Sequence, residues 1–391
     1  MARFDFAVIG GGPAGASAAR RLAQSGASVA LFECQRMPRP KPCGGALSVR
    51  AMAYLDFAVP PAVVDAEVWG ARLHFGGASD EARLDRRIGY LVTRSKFDHF
   101  LFSKAEEAGA LVHWQDVKAV EVRPSDVAIS TPAGDHTAAC AVICEGAGGR
   151  LSRLVRPRDP PGLMGFCLVA EVPTPDPDTH SDLNGIIDIH FGLPGRGYGW
   201  LFHHGTYYSV GIGGLLDGFG RPKETFRKFA ADLGLGLGGI RIRGHFIPSG
   251  GVRRKTCADR LILAGDAAGW VDPFLGEGLP YAIRSGQFAA QAALVAASRG
   301  DFSRRTLAHY DDLCRQGFGG DLRAARRLWH VMNFWPSLFI RALASEEEIL
   351  RRYLMVASTE LSYKYFFRKM LTRGLAFWLR SRLRGPAKRG R

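Results

Sequence analysis

Two glycine-rich segments lie far apart in the sequence, and both have spacings that suit contact with phosphate and sugar groups. The first, Gly10-Gly11-Gly12-Pro13-Ala14-Gly15, follows a short apolar run. Gly10 permits a tight turn, Gly12 lets the backbone approach a pyrophosphate, and Gly15 lets the next helix pack closely with its amino end facing the phosphates. Glu33 follows about 20 residues later, where a carboxylate accepts ribose hydroxyls. This order predicts a dinucleotide site formed by Gly10, Gly12, Pro13, Ala14, Gly15 and Glu33.

The second segment is Gly265-Asp266-Ala267-Ala268-Gly269, followed by Pro273 and Gly276-Glu277-Gly278. In a flavoprotein, Asp266 would bind ribityl hydroxyls, and a helix beginning near Gly278 would face the N1 and O2 edge of the flavin. The dipole of that helix favours the negative charge of reduced flavin. An ordinary helix cap is the alternative role of Asp266. Together the two segments predict FAD across one domain, with second contacts at Gly265, Asp266, Gly276, Gly278 and Leu279.

Apolar patterning predicts the elements that hold these segments. Residues 5–9, 28–32 and 260–264 have the pattern of buried strands, and a helix is predicted from about 13 to 24. Residues 186–191 and 207–212 alternate as half-buried strands do. The fold class is therefore α/β, with a discontinuous Rossmann-type FAD-binding domain, a β-sheet-based substrate domain and a C-terminal helical region. The predicted boundaries are 1–57, 85–155 and 255–300 for the first, 58–84 and 156–254 for the second, and 301–391 for the third.

Composition bounds the class of protein. The chain has 391 residues, of which 47% are hydrophobic and 23% charged, as expected of a globular protein. A spanning apolar run and a signal peptide are not evident, and seven scattered cysteines do not suggest a disulfide framework. We therefore expect a reducing, cytoplasmic setting. Cys140 and Cys144 lack a second pair, and no metal site is expected.

The net charge of +15 is concentrated in the last residues. Residues 361–391 hold ten lysines and arginines and no acids, and without those ten the net charge falls to +5. Apolar residues from Tyr363 to Leu379 recur at helical spacing, which is typical of a basic amphipathic helix on a membrane surface, here the inner face. The alternative is an aromatic stripe that packs on the protein. No recognisable nucleic-acid module accompanies the charge, so a nucleic-acid partner is not expected.

Four further segments carry a resemblance to a known family. They are Pro38-Arg39-Pro40-Lys41-Pro42-Cys43-Gly44-Gly45, the RxxFD motif at 94–98, the YxWxF motif at 198–202, and Gly276-Glu277-Gly278 with its continuation to Gly286. From about residue 3 to 300 the chain resembles the geranylgeranyl reductase family, within the glutathione-reductase-like, aromatic-hydroxylase-type flavoproteins. The resemblance implies FAD-dependent saturation of isolated C=C bonds in a prenyl chain.

The resemblance also implies roles for individual residues. Cys43 would lie near the flavin and the substrate, where it donates a proton, shapes the pocket or simply packs against its neighbours. Glu277 either caps a helix or serves the proton path. Arg94 either contacts FAD or pairs with Asp98. Gly44 and Gly45 would contact the cofactor, and Lys41 contacts phosphate or faces solvent. Tyr198, Trp200 and Phe202 either line an apolar substrate channel or pack as ordinary strand residues.

Some positions depart from the family pattern. His203-His204 stand where Pro-Lys is usual, Glu145-Gly146 replaces Asp-Gly, and Gly149 replaces a serine. The two histidines are interpreted as solvated or hydrogen-bonded. The substrate is left open among geranylgeranylated lipids, quinones and chlorophyll-type molecules. The external reductant is NADPH or a ferredoxin-like carrier, the latter an electron-donor protein.

Three other classes share this architecture. An FAD-dependent monooxygenase of an aromatic or lipid substrate would consume oxygen. A non-redox cyclase would work without net electron consumption. A prenyl-lipid carrier would need no flavin contacts, and the intact glycines, Glu33 and Asp266 argue against it.

Overall fold

The computed structural model describes residues 2–174, 181–194, 196–248, 254–274, 276–334, 347–358, 361–366 and 368. The strands are β1 (Ala2–Ile9), β2 (Val29–Phe32), β3 (Ala46–Ser48), β4 (Ala66–Val68), β5 (Gly70–Phe75), β6 (Ala78–Arg83), β7 (Gly89–Leu91), β8 (Leu111–His113), β9 (Ala119–Val122), β10 (Val127–Thr131), β11 (Gly134–Ile143), β12 (Gly165–Pro173), β13 (Ile186–Leu193), β14 (Gly197–His203), β15 (Tyr207–Leu215), β16 (Arg243–Ile247), β17 (Cys257–Ala258) and β18 (Leu261–Leu263). The α-helices are α1 (Pro13–Ala23), α2 (Val49–Ala53), α3 (Arg94–Glu107), α4 (Pro222–Asp232), α5 (Leu279–Arg299), α6 (Arg304–Leu307), α7 (His309–Cys314), α8 (Gly320–Phe334) and α9 (Glu347–Ala357).

The first large sheet has the order β17-β18-β11-β1-β2-β8, and a hairpin of β9 and β10 extends it from β11. The pairs of β1 with β2 and β11, of β2 with β8 and of β11 with β18 are parallel. Val8, Leu31 and Val142 are completely buried, as expected where helices cover a parallel sheet. Helix α1 packs against both α3 and α5. This sheet confirms the predicted α/β class and places residues 10 and 264 at the ends of the two strands that flank β11.

The second large sheet has the order β16-β12-β15-β14-β13-β5-β6. Its pairs are antiparallel except that of β5 with β13, which is parallel. One face packs under α4, where Val210, Ile212 and Phe226 form a core. The opposite face joins a core with residues of α8 and α9, including Leu328 and Leu350. The sheet thus separates α4 from the C-terminal helices.

A small sheet of order β3-β7-β4 links the two large ones. Strand β3 directly follows Gly44-Gly45, and β7 pairs with both of its neighbours in antiparallel register. Most strands of the first sheet come from residues 1–57, 85–155 and 255–300, and those of the second come from 58–84 and 156–254. We retain the predicted domain division as a proposal supported by this membership.

The chain after residue 300 is helical in the part that the structure describes. A π-helical stretch, Arg315–Gly319, joins α7 to α8. No helix within the described ranges has the length and apolar character needed to span a bilayer. Pro336 and nearly all of the basic tail lie outside the described residues. Tyr363 and Phe366, at the start of the tail stripe, are each 1% exposed and join the core of α8 and α9.

Candidate active site

A cavity of about 510 Å³ is lined by residues of both large sheets and of the small one. Gly15 and Gly265 stand just behind its wall, whereas the other predicted site residues face it. The cavity lining includes Gly10, Gly12, Pro13, Ala14, Glu33, Cys43, Gly44, Gly45, Arg94, Tyr198, Trp200, Phe202, Asp266, Gly276, Glu277, Gly278 and Leu279. Folding therefore gathers segments from five parts of the chain around one space.

The glycine loop after β1 is shaped for close approach. Gly10 has a φ of 102°, and a Cβ on Gly15 would lie 1.7 Å from the Gly10 carbonyl oxygen. A Cβ on Gly12, in contrast, would meet only the Arg39 guanidinium, at 3.4 Å, among the described atoms. Gly15 thus lets α1 pack against the loop, and Gly12 leaves open space on the cavity side.

Glu33 ends β2 inside the cavity and is 5% exposed. Its Oε2 accepts the Gly11 N–H at 2.8 Å, and its Oε1 accepts the Gln35 N–H at 3.0 Å. Oε1 also accepts a weak bond from the Cys34 thiol at 3.4 Å. A carboxylate offers about four acceptor directions, so these bonds fix its orientation and leave capacity for a sugar hydroxyl.

Arg39 is a cavity residue that the sequence did not single out. Its Nε lies 3.6 Å from Glu33 Oε2, and its Nη1 lies 3.7 Å from Asp98 Oδ2. It also stands beside Gly12. A guanidinium at a glycine loop is well placed to bind a pyrophosphate. The sequence signal for this role was the presence of a cation within the Pro-rich segment.

Arg94 and Asp98 form a two-pronged ion pair at the start of α3. Arg94 Nε and Nη2 donate to the two Asp98 oxygens at 2.7 and 2.9 Å. Burial alone would lower the pKa of Arg94, but Asp98 and Cys43 reverse that effect and raise it. Arg94 is therefore a permanent cation that clamps the turn, as one of the two expected roles required, and it also lines the cavity. A contact with FAD stays a prediction.

Asp266, His245 and Lys41 form a second group of polar residues in the cavity lining. Lys41 Nζ lies 2.5 Å from His245 Nε2, which lies 4.0 Å from Asp266 Oδ2. Burial lowers the pKa of both Lys41 and His245. Burial would raise the pKa of Asp266, but His245 and Lys41 lower it below its usual value. Lys41 is half-buried and faces this cluster, a partner that the sequence did not predict.

His204 holds the Cys43-Gly44-Gly45 segment in place. It is 4% exposed, its Nε2 lies 3.0 Å from the Gly44 carbonyl oxygen, and its Nδ1 lies 3.0 Å from Asp65 Oδ2 and from the Tyr207 hydroxyl. Both ring nitrogens therefore have hydrogen-bond partners, which fix the orientation of the ring. Of the two environments expected for this histidine, solvated or hydrogen-bonded, the structure shows the hydrogen-bonded one.

We expect His204→Ala to lower turnover about tenfold, since a hydrogen bond of about 1.5 kcal/mol to the Gly44 carbonyl is lost. Tyr207→Phe is the matched control, because it removes the hydroxyl that contacts Nδ1 and leaves the bond from Nε2 to Gly44. The measurement is kcat at saturating substrate on FAD-loaded protein of equal melting temperature. Equal kcat in the two variants would refute a positioning role.

Two departures from the family pattern compensate each other. A Cβ on Gly149 would overlap the Glu145 side chain, with 2.1 Å to its Cγ and Cδ. Glu145 Oε1 accepts the Ser152 N–H at 2.6 Å, and burial raises the pKa of Glu145 despite this bond. The longer acid therefore occupies the room that a side chain at position 149 would need.

An apolar wall closes the other end of the cavity. Tyr198, Trp200 and Phe202 alternate on β14 and face the same side as Ile187 and Ile189 of β13. Neighbouring rings of β14 lie 6.1 and 6.3 Å apart. A Cβ on Gly44 would lie 2.8 Å from the Phe202 ring, so this wall reaches the cysteine segment. Tyr353 and Leu354 of α9 also belong to this wall. No local sequence pattern predicted their place in the cavity.

Glu277 lies in the turn before α5. Burial raises the pKa of its carboxyl above the usual value, although Ser48 and Arg50 oppose the shift. The turn is fixed by Asp272, whose N–H donates to the Glu277 carbonyl at 2.9 Å and whose Oδ2 accepts the Tyr363 hydroxyl at 2.5 Å. The start of the tail thus supports the loop that carries Glu277.

Comparisons with known proteins agree with this architecture. Residues 4–64 match the family model of pyridine nucleotide-disulphide oxidoreductases. The chain is 31% identical over 312 residues to the geranylgeranyl diphosphate reductase of Rhodobacter capsulatus, with 75% of each chain covered. It is 28% identical over 348 residues to digeranylgeranylglycerophospholipid reductase 1 of Methanothermobacter thermautotrophicus, covering 81% of this chain and 84% of that one.

Solved structures share the fold. A geranylgeranyl bacteriochlorophyll reductase-like protein from Thermoplasma acidophilum superposes with a TM-score of 0.77 at 23% identity, over 94% of this chain and 96% of that one. A flavin-dependent brominase reaches a TM-score of 0.74 at 19% identity. Fold and relatives define an FAD-dependent oxidoreductase. The chain belongs to the geranylgeranyl reductase family.

Proposed function

We propose that this enzyme saturates isolated C=C bonds in a geranylgeranyl chain carried by a lipid, quinone or chlorophyll-type substrate. The observation that carries the proposal is one continuous cavity, with the glycine loop and Glu33 at one end and the wall of Tyr198, Trp200 and Phe202 at the other. The two relatives described above are named for geranylgeranyl substrates. An apolar wall with aromatic rings suits a long branched hydrocarbon.

The residues around the glycine loop fit FAD. Gly10, Gly12 and Gly15 with the amino end of α1 would hold the pyrophosphate, with Arg39 as a further cation. Glu33 would accept the ribose hydroxyls, and Asp266 the ribityl hydroxyls. The amino end of α5 would face the flavin ring with its positive dipole end. Reduced FAD, when bound, supplies the hydride for one alkene carbon.

The protein must supply the proton for the other carbon. An unconjugated alkene has no carbonyl to take up charge, so cation character develops at its more substituted carbon. Cys43 and Glu277 face the cavity near the aromatic wall, and we assign the proton donor and its supply to them. The aromatic rings exclude water and present their negative faces to the developing cation.

The raised pKa of Glu277 predicts a pH dependence. If the protonated carboxyl serves the proton path, kcat is highest below that pKa and falls as the pH rises through it. We expect Glu277→Gln to have lower kcat and to lose this alkaline limb. A pH series of single-turnover rates on both proteins tests this, and an unchanged limb in the variant would assign it to another group.

Product mass tests the proposed substrate. FAD-loaded protein is reduced with dithionite and supplied with a geranylgeranyl glycerolipid, a geranylgeranylated quinone or a geranylgeranylated chlorophyll, with the fully saturated lipid as control. We expect a gain of two hydrogens per reduced double bond in at least one unsaturated substrate. Failure of all three with full flavin content would contradict the assignment.

We further propose that the basic tail binds an anionic membrane surface on the cytoplasmic side and that NADPH or a ferredoxin-like protein supplies electrons. Tyr363 and Phe366 are already buried, so residues beyond 368 would make the membrane contact. Each basic residue near an anionic surface contributes about 1 kcal/mol. We expect the full chain to sediment with phosphatidylserine vesicles at low salt, and a chain ending at residue 370 to stay in solution. Equal sedimentation would refute the tail's role.

A further inference from the structure

We propose that His74, Asp188 and His190 form a Zn²⁺ site on the face of the second large sheet that points away from the cavity. One ligand atom from each residue lies within 4.8 Å of the other two. His74 Nε2 lies 2.6 Å from Asp188 Oδ1, and His190 Nε2 lies 3.1 Å from Asp188 Oδ2. No local pattern in the sequence indicates this site, because His74 and Asp188 are 114 residues apart.

The strand register creates the cluster. His74 of β5 pairs directly with His190 of β13, and Asp188 precedes His190 by two residues on the same strand. Side chains two residues apart share one face of a strand, so all three project from the same side of the sheet. The imidazole rings stack at 4.0 Å with a 5° angle, and both Nε2 atoms point at the carboxylate.

The donor set suits zinc. Zn²⁺ binds imidazole and carboxylate ligands at about 2.0–2.2 Å, which sets neighbouring ligand atoms of a tetrahedral site about 3.3 Å apart. The two observed His–Asp contacts lie below that value and the ring planes are parallel, so the imidazoles must tilt out of their stacked arrangement for both Nε2 atoms to bind one ion. Water would fill the fourth position, as in other three-ligand zinc sites.

Burial and charge also favour a cation here. The Asp188 side chain is 6% exposed, whereas His74 and His190 are 31% and 20% exposed, so the anion is sheltered and the ion has a path from solvent. Arg72, which pairs with Asp188 in the register, is directed to Glu81 and Asp182 at 2.8 and 2.6 Å. Its charge is therefore compensated by two other carboxylates.

A metal bound at this site would affect the apolar wall of the cavity. On β13 the ligands Asp188 and His190 alternate with Ile187, Ile189 and Phe191, which line the cavity from the other face. A metal joining β5 to β13 would fix the position of that part of the wall. We infer a structural ion that stiffens the prenyl channel and takes no part in the redox step.

Zinc titration of the FAD-loaded full chain tests the site. After dialysis against chelator, isothermal titration with Zn²⁺ should show one ion bound per chain and a melting temperature that rises with Zn²⁺. Asp188→Asn and His190→Gln should each weaken binding at least about tenfold, in keeping with loss of a ligand. His99→Gln, an exposed histidine on α3, should bind as the parent does.

The thiols provide the main competing site, since Cys34 is exposed. Co²⁺ in place of Zn²⁺ should give d–d bands without thiolate charge transfer, and Cys34→Ser should leave them unchanged. No saturable binding, or binding that survives both ligand substitutions, would overturn the proposal. If Asp188→Asn loses its flavin or its circular dichroism signal, His74→Gln at the more exposed ligand gives the same test.

Discussion

Gly12→Val is expected to fold and to lose FAD affinity by at least about 30-fold, the equivalent of about 2 kcal/mol in contacts to a charged group. Gly12 has φ −70° and ψ −177°, which a valine adopts without strain. Its Cβ would meet only the Arg39 guanidinium among described atoms, so the added side chain enters the space where a pyrophosphate would lie. Flavin absorbance after purification and FAD titration of the apoprotein measure the effect.

Gly236→Val is the matched control. Gly236 is exposed, and no described atom lies within 4 Å of a Cβ built there. This variant should keep the parental flavin content and melting temperature. If Gly12→Val also bound FAD like the parent, the glycine loop would not be the pyrophosphate site, and the cofactor would have to lie elsewhere in the cavity.

Cys43→Ala is expected to retain FAD and to lose turnover by about 10²–10⁴-fold, the usual contribution of a general acid. The cavity places Cys43 beside Arg94 and next to Gly44, which adjoins the Phe202 ring. Single-turnover rates on the dithionite-reduced protein separate this effect from reduction by an external donor. Cys43→Ser, which keeps a hydroxyl donor, should be slower than the parent and faster than Cys43→Ala.

Cys34→Ala controls for loss of a thiol at the other end of the cavity. Its Sγ lies 3.4 Å from Glu33 Oε1, so its removal should affect FAD affinity slightly and the chemical step not at all. A Cys43→Ala protein with full flavin content and full turnover would remove Cys43 from the proposed chemistry.

The segments that the sequence predicted well are those whose signals are local. The strand, glycine loop and helix that carry Gly10 and Gly15 appear as β1 and α1, and the second motif appears as β18 followed by α5. In each motif, the strand, the glycines and the helix lie within about 20 residues of each other. One short stretch of sequence therefore contains the whole pattern. For the same reason the α/β class and the FAD-dependent type were predictable.

Residues missed by the sequence enter the site through distant pairings. His245 reaches Lys41 because β16 pairs with β12, and Tyr353 reaches the wall because α9 packs under the second sheet. Helix α4 was not predicted, because the segments around it alternate in the way that strands do. Its own apolar residues Phe226 and Phe229 nevertheless have helical spacing. Such contacts depend on tertiary packing, which no local period encodes.

Electron counting under anaerobic conditions tests the central claim most directly. FAD-loaded protein is reduced stoichiometrically, mixed with a geranylgeranyl substrate without oxygen, and followed by flavin absorbance and product mass together. Our account predicts one flavin reoxidised for each double bond lost, with two hydrogens gained per event. Flavin that stays reduced until oxygen is admitted, with an oxygen atom then appearing in the product, would contradict it and identify a monooxygenase.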